Sequence, residues 1–124
     1  LLIPNLIKVE SWNNNKHYKV QNNCADEISL QNAPLTLHNV YEIKRILKPE
    51  GIITLWIDIK YLSSAQIIAS DLKKNILVNN YGNLNDYDPI IDYYNRNKDR
   101  FSRHTDYTEY MRDNIKGMVA IIIF

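Results

Sequence analysis

Apolar residues along this chain fall into short blocks whose spacing changes from block to block. Asp26–Leu30 carries Ile28 and Leu30 in alternation and is followed by Asn32 and Pro34, a pattern that predicts a strand running into a loop. Val40, Ile43 and Leu47 then fall at i, i+3 and i+7, one face of a helix that His38 or Asn39 can cap. Lys44, Arg45 and Lys48 load its last turns, where positive charge meets the negative end of the helix dipole, and Pro49 and Gly51 stop it. Ile52–Ile59 is apolar almost throughout, not alternating, which predicts a strand buried on both faces of a parallel sheet. Strand, about ten residues of helix, strand is a crossover unit.

The flanks are weaker. Leu1–Val9 is apolar but broken by Pro4 and Asn5, which predicts an edge strand or one beginning after the proline. Glu10–Asn23 is polar and predicts a loop, with room for a short strand at Tyr18–Val20. Ser63 or Ser64 can cap a helix running to about Lys74, with Ala65, Ile68 and Leu72 on one face. Ile76–Val78 reads as a short strand or a helix end, and Asn79–Asp88 as a loop. Asp88 before Pro89 starts a helix striped by Ile90, Tyr94 and Phe101. Asp106–Glu109 has capping-box spacing for a short helix that Gly117 ends, and Met118–Phe124 reads as the last strand.

Length and composition narrow the class. At 124 residues the chain is a single domain at most, 45% hydrophobic and 23% charged, with net charge +1. No strong field draws it to nucleic acid or to a membrane surface. Apolar runs of about eight residues fall far short of the roughly 20 that a membrane span needs. One cysteine, Cys24, rules out an internal disulfide and fits a reducing, cytoplasmic setting. His17, His38 and His104 have no metal-ligand spacing, so no metal is expected. Asp86–Tyr87–Asp88 resembles a metal–nucleotide string, but Asp88 already serves as a helix cap. Tyr93, Tyr94 and Phe101 interleave with Arg96, Lys98, Arg100 and Arg103; Asp92, Asp99 and Asp106 dilute the charge, so a solvated helix face is favoured over a nucleic-acid grip.

The central stretch resembles class I S-adenosylmethionine-dependent methyltransferases. Three of the family's motifs have counterparts: N-S-x-D-E-I at Asn22–Ile28, E-x-x-R-V-L-K-P-G-G at Glu42–Gly51, and an apolar strand ending in Asp at Ile52–Asp58. Glu50 replaces the first glycine of the family's pair. Tyr107–Thr108–Glu109 through Gly117 resembles the late Y-T-x-E helix and the glycine opening the next strand. The resemblance covers about a third of the chain well and the tail weakly. It implies an α/β fold with a partial Rossmann-like sheet and flanking helices, and S-adenosylmethionine as cofactor. Gln31 and Asn32, in the loop at the carboxyl end of the first strand, become cofactor-side candidates. Asp58, at the end of the second strand, becomes a substrate-side candidate.

The family's acidic-Gly-x-Gly cofactor loop has no counterpart. The chain has three glycines and none before Gly51. The expectation is therefore an incomplete methyltransferase-like domain over residues 1–124, lacking its N-terminal cofactor-binding half, with a start at Leu1 that fits a cut or processed chain. Such a sheet would lack central strands, and Ile52–Ile59 would lose neighbours on one side. A missing N-terminal segment or a protein partner would complete it. The chain is an enzyme only if the full-length protein carries the glycine-rich loop, and the methyl acceptor cannot be read. The alternatives are a non-catalytic protein-interaction domain and a secreted effector or toxin built on the same scaffold.

Overall fold

The computed structural model describes residues 20–31, 33–80, 96–97 and 117–124. They form a mixed α/β unit: β1 (Ala25–Gln31), α1 (Leu37–Ile46), β2 (Leu47–Asp58), a 3-10 turn (Ile59–Tyr61), α2 (Leu62–Asp71), β3 (Ile76–Asn80) and β4 (Met118–Ile123). The four-stranded sheet has the order β1-β2-β4-β3. β1 pairs parallel with β2, as the crossover pattern predicts. β4 runs antiparallel to both β2 and β3, so β2 and β3 point the same way. Leu1–Val9, the Asp86–Asp88 string, the basic–aromatic segment apart from Arg96 and Asn97, and the Asp106–Ile115 helix lie outside the described residues.

β2 and β4 are the two inner strands, and their composition follows from that. Ile52–Ile57 and all of Met118–Ile123 are buried, side chains on both faces alike. β2 has β1 on one side and β4 on the other, so the expectation that it loses neighbours on one side is corrected. The reversed strand fills that place. One face of the sheet packs against the helices: Leu30, Ile53, Leu55, Ile57, Val119, Ile121 and Ile123 join Val40, Ile43, Ala65, Ile68 and Ala69 in one cluster. Full burial of each large side chain there stabilises the fold by about 1.5–3 kcal/mol. α1 and α2 lie side by side on this face, and Lys44 Nζ meets Asp71 Oδ2 between them at 2.8 Å.

Several boundaries move for physical reasons. Thr36, not His38 or Asn39, caps α1: its hydroxyl accepts from the Asn39 N–H at 3.2 Å. Asn39 is unavailable because its buried side chain donates to the Pro34 carbonyl at 2.7 Å. Leu47 leaves the helix and opens β2, with extended backbone dihedrals. The expected Lys48–Gly51 stop lies within β2, opposite a register shift where β1 advances from Ala25 to Glu27 while β2 advances from Leu47 to Ile52. The extra residues bulge outward, leaving Pro49 and Glu50 exposed. Gly51 is required there by close approach: a Cβ would stand 2.5 Å from Leu47 Cδ1 and 2.8 Å from its Cγ. Lys74 Nζ braces the bulge through the Pro49 and Gly51 carbonyls at 2.7 and 2.9 Å.

Ser63 and Ser64 do not cap α2. The 3-10 turn feeds directly into it, and α2 ends at Asp71, short of Lys74. Its exit is a Schellman turn: Lys73 N donates to Ser70 O, Lys74 N donates to Ala69 O, and Lys73 takes the left-handed position at φ 55°. Ile76 begins a strand that extends through Asn79 and Asn80, two positions where a loop is expected from composition.

Candidate functional site

In a sheet with parallel strands, ligands gather outside the carboxyl ends of those strands. The elements meeting there are the end of β1, the 33–36 loop leading to α1, the end of β2 with its 3-10 turn, and Gly117 at the start of β4. Gly117 has φ +82°, and its carbonyl accepts from Ile59 N at 2.7 Å, which ties β4 to the end of β2.

Gln31 is exposed and lies opposite Trp56 in the β1–β2 ladder. Alternation places Gln31, Trp56 and Asp58 on one face of the sheet, because Leu30, Leu55 and Ile57 point into the helix-side core. Strand geometry separates the Gln31 and Asp58 Cα atoms by about 8 Å, two residues along and one strand across. The fold thus brings two of the three candidates to one end and one face. The third, Asn32, lies outside the described residues.

Asp58 also has a structural task. Its Oδ1 accepts from the Lys60 N–H at 2.9 Å and caps the 3-10 turn. Lys60 in turn places its ammonium 5.2 Å from the Tyr61 ring centroid. The half-buried Asp58 carboxylate keeps a second oxygen for other contacts. Asn39 governs the other rim: its bond to Pro34 ties the 33–36 segment to α1.

The E-x-x-R motif resolves into a structural pair. Glu42 is 0% exposed and faces Arg45, which donates to both of its carboxylate oxygens through Nε and Nη2. Arg45 Nη1 also donates to the Val20 carbonyl at 2.7 Å and to Asn22 Oδ1 at 2.8 Å, which locks the segment entering β1. The bond to Glu42 raises the Arg45 pKa above its ordinary value, against partial desolvation. Lys48 is likewise raised, first by its hydrogen bond to Asp26 at 2.8 Å. The i,i+3 spacing of Glu42 and Arg45 is a signal for such a pair. Thr36 three residues ahead of Asn39 is a signal for the cap that sequence reasoning missed.

Among the described residues no cluster of three His, Cys, Asp or Glu side chains could hold a metal ion, and no helix is long and apolar enough to cross a membrane. Glycine lets a loop's backbone approach a ligand closely, and the resemblance implies such a loop for S-adenosylmethionine. Of the described glycines, Gly51 is filled by Leu47 at the bulge and Gly117 is a single turn residue. Neither of these two glycines stands in an acidic-Gly-x-Gly stretch. No family model and no curated protein matches this chain.

Proposed function

We propose that these residues are the middle and C-terminal scaffold of a class I methyltransferase-like domain with a Rossmann-like sheet, which does not bind S-adenosylmethionine by itself. The observation that carries the reading is how the resembling motif is used. Glu42, Arg45, Leu47 and Gly51 each have a specific packing or pairing role at the α1–β2 junction, where Glu42 is buried against Arg45 and Gly51 is pressed on Leu47. A chance match would not be expected to put each of these positions to structural use. In this reading Gln31 and Asn32 form the cofactor side and Asp58 the substrate side of a site whose glycine loop comes from outside this sequence. Its reaction is methyl transfer, in which alignment of donor and acceptor supplies much of the rate. That added segment, or a partner chain, completes the sheet beside β1, an edge among the described strands. The exposed free thiol of Cys24 is compatible with the reducing cytoplasm.

The coding sequence adjoining these residues tests the proposal. An acidic-Gly-x-Gly stretch following a strand pattern, within about one domain length, is the expected finding; an unrelated domain or a stop codon there would count against it. The lack of a glycine loop favours a second reading, a non-catalytic interaction domain on the same scaffold. Light scattering separates the two in part, because that reading expects a stable complex with a partner protein and no cofactor segment.

A further inference from the structure

The sheet face turned away from α1 and α2 holds an unmet hydrogen-bonding group. Thr54 lies at the centre of β2 and is 1% exposed, and its Oγ1 has no hydrogen-bond partner. Its ladder neighbours are Ser29 on β1 and Ile122 on β4, with Ala120 diagonal to it. Ile52, Trp56, Ala120 and Ile122 around it are buried, and none belongs to the helix-side cluster. A buried hydroxyl left without a partner lowers the folding constant by about tenfold. Proteins commonly meet such groups with an internal water that has two or more polar contacts. Ser29 supplies the second hydroxyl one strand away, and it is half-buried. Ser29 and Ala120 are the small side chains beside Thr54 on this face.

We propose that Thr54 and Ser29 hold one internal water molecule between β1 and β2 on this face. The site is independent of the methyltransferase reading. The water accepts or donates at both hydroxyls, and each hydroxyl keeps its bond only while the other is present.

Thr54→Val tests this, because valine keeps the shape and removes the hydroxyl. The urea midpoint is expected to fall, and adding Ser29→Ala to Thr54→Val is expected to lower it no further. A midpoint unchanged or raised by Thr54→Val would overturn the proposal, since removing a hydroxyl with no partner relieves the fold. If the variant does not fold, the unmodified protein decides. Cross-relaxation between a long-lived water and the Thr54 methyl is expected in nuclear magnetic resonance spectra, and its absence would overturn the proposal equally.

Discussion

Replacing Arg45 with methionine should be among the most damaging single changes on the surface side of α1. Arg45 is 14% exposed, yet its partner Glu42 is wholly buried. The substitution keeps much of the aliphatic stem and removes the guanidinium. Glu42 then loses the hydrogen bonds from Nε and Nη2, and the Val20 carbonyl and Asn22 side chain lose those from Nη1. Breaking a buried pair by removing one partner costs about 3–5 kcal/mol. The lower end applies here because Arg45 sits at the rim, where water can reach part of the site. With an unfolding entropy of about 2.1 cal/mol/K per residue, about 3 kcal/mol lowers Tm by roughly 12 °C for a chain of this length. Removing both charges with Glu42→Leu and Arg45→Met should recover at least half of the loss, since no buried charge is then stranded. Arg45 has a raised pKa when folded, so its contribution is fully present below its unfolded pKa and is lost only as strongly alkaline pH passes the folded one. Its side of the pair therefore adds no pH dependence near neutrality. Thermal and urea unfolding of the two single variants and the double variant give the coupling. A loss below about 1 kcal/mol for Arg45→Met, or strictly additive effects in the cycle, would refute the argument.

Two further substitutions probe the backbone. Gly51→Ala should destabilise by about 1–3 kcal/mol through overpacking against Leu47, measured by urea unfolding, and Leu47→Ala in the same chain should absorb part of that added cost. Lys73→Gly should raise stability by about 0.5–1 kcal/mol, because Lys73 holds the left-handed position of the α2 exit that glycine adopts without strain; an unchanged or lowered urea midpoint would contradict this.

Local pattern was enough to read β1, α1 and β2 in order. Alternation at Ile28 and Leu30, helical spacing at Val40 and Ile43, and an unbroken apolar run after Gly51 each report local periodicity. The same information could not place β4. Met118–Ile123 is apolar on every position, which signals burial on both faces but not direction or neighbour. Its reversed insertion between β2 and β3 depends on pairing across distant parts of the chain, and composition carries no mark of that. Caps failed for a related reason. Thr36 and Asn39 both have capping chemistry, and Asn39 is excluded only because the fold turns it towards Pro34. At the candidate site, the position of Gln31 and Asp58 at strand ends was legible from the strand–loop boundaries. A capping role for Asp58 on the segment after β2 is legible from its place at the strand end, and the Lys60 N–H bond bears it out. That the segment is a 3-10 turn depends on backbone conformation that an apolar run ending in Ile59 does not announce.

The proposal is that the stretch resembling class I methyltransferases is scaffold without its cofactor loop. Isothermal titration calorimetry of this 124-residue chain with S-adenosylmethionine and S-adenosylhomocysteine tests it most directly. The account predicts no saturable heat at micromolar ligand. Stoichiometric micromolar binding by these residues alone, weakened by Gln31→Ala, would contradict it.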